Sequence, residues 1–124
     1  MTRMLARLAG WLLAVVIVIL SIVPPQDRPV LAPHVLEHAA IFAALGVAFA
    51  LAYPRRDRVA LALLLFCGAV EWAQVWMPGR HARLSDLLVD SAAALAGVAA
   101  VALAAQFAGR RTKRPGALRD NTSS

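Results

Sequence analysis

Four long apolar runs, each fenced by proline, glycine or arginine, constrain this chain more than anything else in it. They cover residues 8–23, 34–53, 59–77 and 84–107. Each is close to the roughly 20 helical residues that cross a bilayer's hydrocarbon core. They are apolar all round rather than alternating, which fits helices and not barrel strands. All seven prolines, at 24, 25, 29, 33, 54, 78 and 115, fall outside the runs. Proline breaks helices in their interior, so this placement supports the boundaries. Hydrophobic residues make up 60% of the chain and charged residues 16%. A soluble chain of this length needs more polar surface than that, and disorder needs far lower hydrophobicity. The expectation is an all-α integral membrane bundle of four transmembrane helices. It comprises a membrane domain over residues 1–109 and a basic, disordered cytoplasmic tail over residues 110–124.

The first run starts basic and apolar like a signal peptide. Ser21-Ile22-Val23 offers no small-residue cleavage pattern before Pro24-Pro25, so it is read as a retained span. The net charge of +6 raises a nucleic-acid partner, which the distribution of charge argues against. The basic residues sit in short clusters between apolar runs, as in membrane proteins. Arg3, Arg7, Arg55, Arg56, Arg58, Arg110, Arg111, Lys113, Arg114 and Arg119 fall on one side, against Arg28, Arg80 and Arg83 on the other. That asymmetry predicts cytoplasmic termini in a multi-pass protein of the bacterial inner membrane. Tyr53 and Trp76 fall where interfacial aromatic belts would sit.

On this topology the ionisable residues gather toward the outer side. His34, Glu37 and His38 open the second span, Glu71 and Gln74 lie late in the third, and Asp86 and Asp90 open the fourth. Glu71 lies roughly 10 Å before Pro78 at 1.5 Å per residue, and Asp90 is similarly deep in the fourth span. An antiparallel hairpin of spans three and four would set those two carboxylates at one level. A charged side chain in the hydrocarbon costs roughly 2.5–3.5 kcal/mol on insertion scales. The carboxylates therefore call for a proton or a cation, with Arg80, Arg83 and protonated His38 as candidates. A purely structural role, tying three helices together, is the competing reading. Ala40, Ala44 and Ala48 form a small-residue stripe on the second span, and Ala93, Gly97 and Val101 another on the fourth. Such stripes let membrane helices approach closely.

His34 and His38 have helical metal-ligand spacing, but no HExxH accompanies them, so no metal and no cofactor is expected. Ser85 is read as a cap of the fourth helix rather than a nucleophile. Cys67 excludes an internal disulfide and is read as packing.

Three motifs in order carry a family resemblance. They are His38-x-x-x-Phe42-x-x-Leu45-Gly46, Glu71-x-x-Gln74-x-x-x-Pro78-Gly79-Arg80, and Asp86-x-x-x-Asp90 followed by Gly97. From about Ser21 to Gly97 the chain resembles the VanZ-like family of small bacterial membrane proteins. The family's namesake is associated with low-level resistance to the glycopeptide teicoplanin, and the resemblance implies no settled mechanism. Asp90 stands where the family usually has Asn, Ala93 where it has Gly, and Val35 where a Lys is frequent. The expectation is a binding protein of the cell envelope, preferred over an enzyme. Its site comprises His38, Glu71, Gln74, Arg80, Asp86 and Asp90. The three acidic groups would hold cationic groups, Arg80 a phosphate or carboxylate, and His38 would tune protonation. Partners would be membrane lipids, a lipid-linked wall precursor or an amphiphilic antibiotic, with a homo-oligomer left open. The rivals are a small proton-coupled exporter, an enzyme acting on a lipid phosphate, and an accessory subunit without a ligand.

Overall fold

The computed structural model describes residues 1–24, 33–79 and 83–113. Its elements are α1 (Thr2–Ile22), α2 (His34–Ala52), α3 (Arg56–Val75) and α4 (Leu84–Thr112). Each is long and apolar enough to cross a membrane. Among the described residues there is no strand.

The helix ends follow from local chemistry. α1 stops ahead of the proline pair at 24–25, with Ser21 donating its hydroxyl back to the Ile17 carbonyl at 2.7 Å. Pro33 caps α2, its carbonyl accepting from the N–H groups of Leu36 and Glu37. Past α3 the chain turns through Gly79, whose φ of 76° suits a residue without a Cβ. α4 begins one residue after Arg83, whose carbonyl accepts the N–H groups of Asp86 and Leu87. Arg83 is thus the N-cap, and it makes no side-chain cap bond. Ser85 lies inside the first turn, which corrects its assignment as the cap. α4 also continues as helix through Arg110 and Arg111, into the segment read from sequence as the start of a disordered tail.

α2 and α4 share the most extensive interface and run parallel. Their registers rise together: His38 lies against Asp90, Gly46 against Ala94, and Ala43 and Val47 against Gly97. α1 packs mainly on α2, and α3 mainly on α4. A Cβ added to Gly46 would collide with the Ala94 carbonyl, and one added to Gly97 with the Ala43 carbonyl and the Val47 nitrogen. The contact is backbone against backbone, the close approach that small residues allow. On α4 the expected stripe holds, with Gly97 and Val101 buried and Ala93 half-buried. On α2 it holds only at Ala48, which is buried. Ala40 and Ala44 are exposed, and α2 turns Ala43, Gly46 and Val47 to its neighbour instead. Two glycines permit a closer backbone approach than an alanine row, and that decides the rotation of α2.

Phe42, Leu45, Leu63, Cys67, Ala94 and Val98 form the centre of the apolar core. Outside it, Leu8, Leu12, Val15, Ile19, Leu61, Leu65, Leu103 and Phe107 are exposed. Large apolar side chains standing outward on every face are costly in water and ordinary in lipid.

Candidate functional site

Polar groups from three helices meet where α2 and α4 begin and α3 ends. α2 places His38 in its second turn, and α4 places Asp90 near the start of its own. The His38 Nδ1 lies 2.9 Å from Asp90 Oδ1 and 3.1 Å from Oδ2. Asp90 is 3% exposed, so the imidazole is its main compensation for lost water. His34 stacks on His38 with ring centroids 4.2 Å apart, and Phe42 stacks on the other side at 6.2 Å. Phe42 and Leu45 are fully buried beneath the pair and separate it from the rest of the bundle.

α3 brings Glu71 and Gln74 in on one face, at i and i+3. Both are buried. The backbone N–H of Arg83 donates to Glu71 Oε1 at 2.6 Å. The second oxygen, Oε2, is buried and has no hydrogen-bond partner among the described residues. Asp86 is half-buried on the first turn of α4.

The pairing differs from the sequence expectation. The sequence sets Glu71 opposite Asp90, but its carboxylate takes the backbone N–H of Arg83, the N-cap of α4. That contact draws Glu71 toward the start of α4, short of the level of Asp90. The carboxylates thereby escape direct confrontation: Asp90 takes the imidazole and Glu71 a backbone donor. Of the three cations weighed for the carboxylates, His38 is in place beside Asp90, and Arg83 contributes its main chain. Arg80 lies outside the described residues. The sequence names His38 among the partners of the carboxylates without singling out Asp90 as the one it meets. The signal for that pairing is that both residues stand early in helices that start at the same end.

Among the described residues no three His, Cys, Asp or Glu side chains converge as a metal site would require. What the arrangement offers is an oriented imidazole, a buried carboxylate whose second oxygen has no partner among the described residues, and a buried amide.

A family model described as VanZ/LLP1 matches residues 5–105. The chain belongs to the VanZ/LLP1 family. No curated protein and no solved structure matches it. The match takes in the polar end and the Gly46–Gly97 crossing, and with four apolar helices it makes this VanZ/LLP1 chain a multi-pass membrane protein. At position 90 this VanZ/LLP1 protein carries two carboxylate oxygens within reach of His38. An asparagine there would offer one acceptor and no charge.

Proposed function

We propose that this VanZ/LLP1 protein binds the ammonium-bearing headgroup of an amphiphile at its polar end. Such a headgroup is common to an aminophospholipid, a lipid-linked wall precursor carrying a peptide amine, and an amphiphilic glycopeptide. The observation that carries the reading is Glu71, buried between α3 and α4 with Oε2 unpartnered among the described residues. Burying a carboxylate oxygen away from water calls for a compensating donor. An ammonium donor supplies both the charge and the hydrogen bond that it lacks. Asp86 at the mouth adds a second negative charge, and the His38–Asp90 pair fixes one wall. The basic clusters support a location in the bacterial inner membrane with both termini cytoplasmic, so that the site opens outward.

The test is thermal unfolding in detergent with added phosphatidylethanolamine or phosphatidylcholine of identical acyl chains. The expected result is a rise in Tm with the primary amine that Glu71→Gln loses. An equal shift with both lipids overturns the reading.

A second reading draws on the His38–Asp90 contact, since a carboxylate orienting an imidazole is how a general base is held. It makes the site that of an enzyme acting on a lipid phosphate. Release of inorganic phosphate from polyprenyl phosphate, abolished by His38→Gln, would establish it in place of the binding role.

A further inference from the structure

At the other end of the bundle α1, α2 and α3 line a common recess. They leave a wedge-shaped cavity of about 560 Å³. Aromatic rings of Trp11, Phe49, Tyr53 and Phe66 line it, and Ala62 leaves space on the α3 side. Arg55 and Arg58 stand at its rim. The aromatic wall is braced: Trp11 meets Phe49 edge-on at 5.5 Å, and its indole N–H donates to the Tyr53 hydroxyl at 3.3 Å. The Arg7 guanidinium covers the Tyr53 ring at 5.0 Å.

We infer that this wedge is a binding site for one anionic phospholipid, an acyl chain lying along the aromatic wall and the phosphate held by Arg55 and Arg58. Three observations commit the site to that occupant. The first is length. From Arg55 at the rim to Phe66 at the inner end, α3 rises about 16 Å, which matches half of a hydrocarbon core roughly 30 Å thick. A chain from a single leaflet fits that depth. The second is charge. Among the described residues neither Arg55 nor Arg58 forms an ion pair, and both are exposed. The third is the start of α3, where Arg55 is the N-cap and no side chain caps the first turn. Its free N–H groups add a positive pole at the level of the headgroup. Basic residues beside a membrane surface are drawn to anionic lipid, and three of them share one short segment here, at positions 55, 56 and 58.

Native mass spectrometry of the full chain from detergent tests the inference, using phosphatidylglycerol and phosphatidylcholine of matched acyl chains. Phosphatidylglycerol is expected to be retained selectively. The double variant Arg55→Gln/Arg58→Gln should lose that selectivity by on the order of tenfold. Ala62→Trp, which fills the wedge, should reduce adducts of either lipid. The control Arg110→Gln/Arg111→Gln removes the same charge at the end of α4 and should leave retention unchanged. Equal retention of the two lipids, or an equal loss in the control, overturns the proposal. So does a dimer that Ala62→Trp dissociates, because the wedge would then hold a second copy of the chain. Displacement of the lipid by soluble glycerol phosphate would overturn the acyl-chain contact. The response to Glu71→Gln is separate: that variant leaves phosphatidylglycerol retention intact whatever becomes of the site at the other end.

Discussion

Gly46 on α2 and Gly97 on α4 are reciprocal, each occupying the space that the other helix's backbone needs. They lie about two turns beyond His38 and Asp90. The spacing of the two helices at the polar pair is therefore set by a backbone-on-backbone contact, made without any polar side chain.

Substituting either glycine forces the backbones apart, because the obstructing atoms are main-chain and cannot rotate away. Gly46→Ala and Gly97→Ala are each expected to cost about 1–3 kcal/mol, the usual range for overpacking. Gly68 faces open space, and Gly68→Ala should instead be neutral or stabilising by up to about 1 kcal/mol, the helix propensity difference. Thermal unfolding of the three variants in detergent makes the comparison. A uniform effect across them would show that the crossing is not tight.

His38 and Asp90 should behave as a coupled pair. In a double-mutant cycle with His38→Gln and Asp90→Asn, the double variant is expected to lose less than the sum of the singles. The coupling should be about 0.5–3 kcal/mol, as for residues in direct contact. Strict additivity would mean that the imidazole and the carboxylate part once the protein is in its lipid or detergent environment.

Glu71→Gln should separate stability from binding. The amide oxygen of glutamine can still accept the Arg83 N–H, so the variant is expected to unfold within about 1 kcal/mol of the parent. The charge is gone, and the response to an ammonium headgroup should go with it. Glu37→Gln, in the first turn of α2 and half-buried, should keep that response. Equal behaviour of the two variants in ligand titrations would remove Glu71 from the site.

The orientation is open to a direct measurement. Fusions after Thr112, at the end of α4, are expected to give activity with a cytoplasmic reporter and none with a periplasmic one. The basic residues flanking the spans fall mostly on that side. The reverse pattern would put the His38 end toward the cytoplasm.

The helices are legible in the sequence because their causes are local. An apolar run of membrane-crossing length with prolines at its ends needs no tertiary information. The polar residues late in α3 and early in α2 and α4 can likewise be placed at one end by counting. Partnership is not legible in this way. α2 is apolar on every side, so nothing along it marks which face α4 will take; the alanine row at 40, 44 and 48 is one of several small surfaces. The rotation that brings in Ala43, Gly46 and Val47 instead exists only once Gly97 is opposite. The offset of Glu71 from Asp90 has the same origin. Depth measured from each helix end ignores how far the hairpin slides, and the Glu71–Arg83 contact records that slide.

The parallel pairing of α2 and α4 has a consequence for the order in which the protein is made. His38 and Asp90 are 52 residues apart, and the chain must cross the bilayer once more, as α3, before the carboxylate arrives early in α4. During synthesis the second span therefore enters the membrane with its histidine still waiting for Asp90. α1 and α2 adjoin each other and can dock early. The crossing at Gly46 and the closure of the polar end depend on α4, the fourth helix to be made. A nascent chain stopped before α4 would have an α1–α2 contact and no Asp90 for His38 to meet.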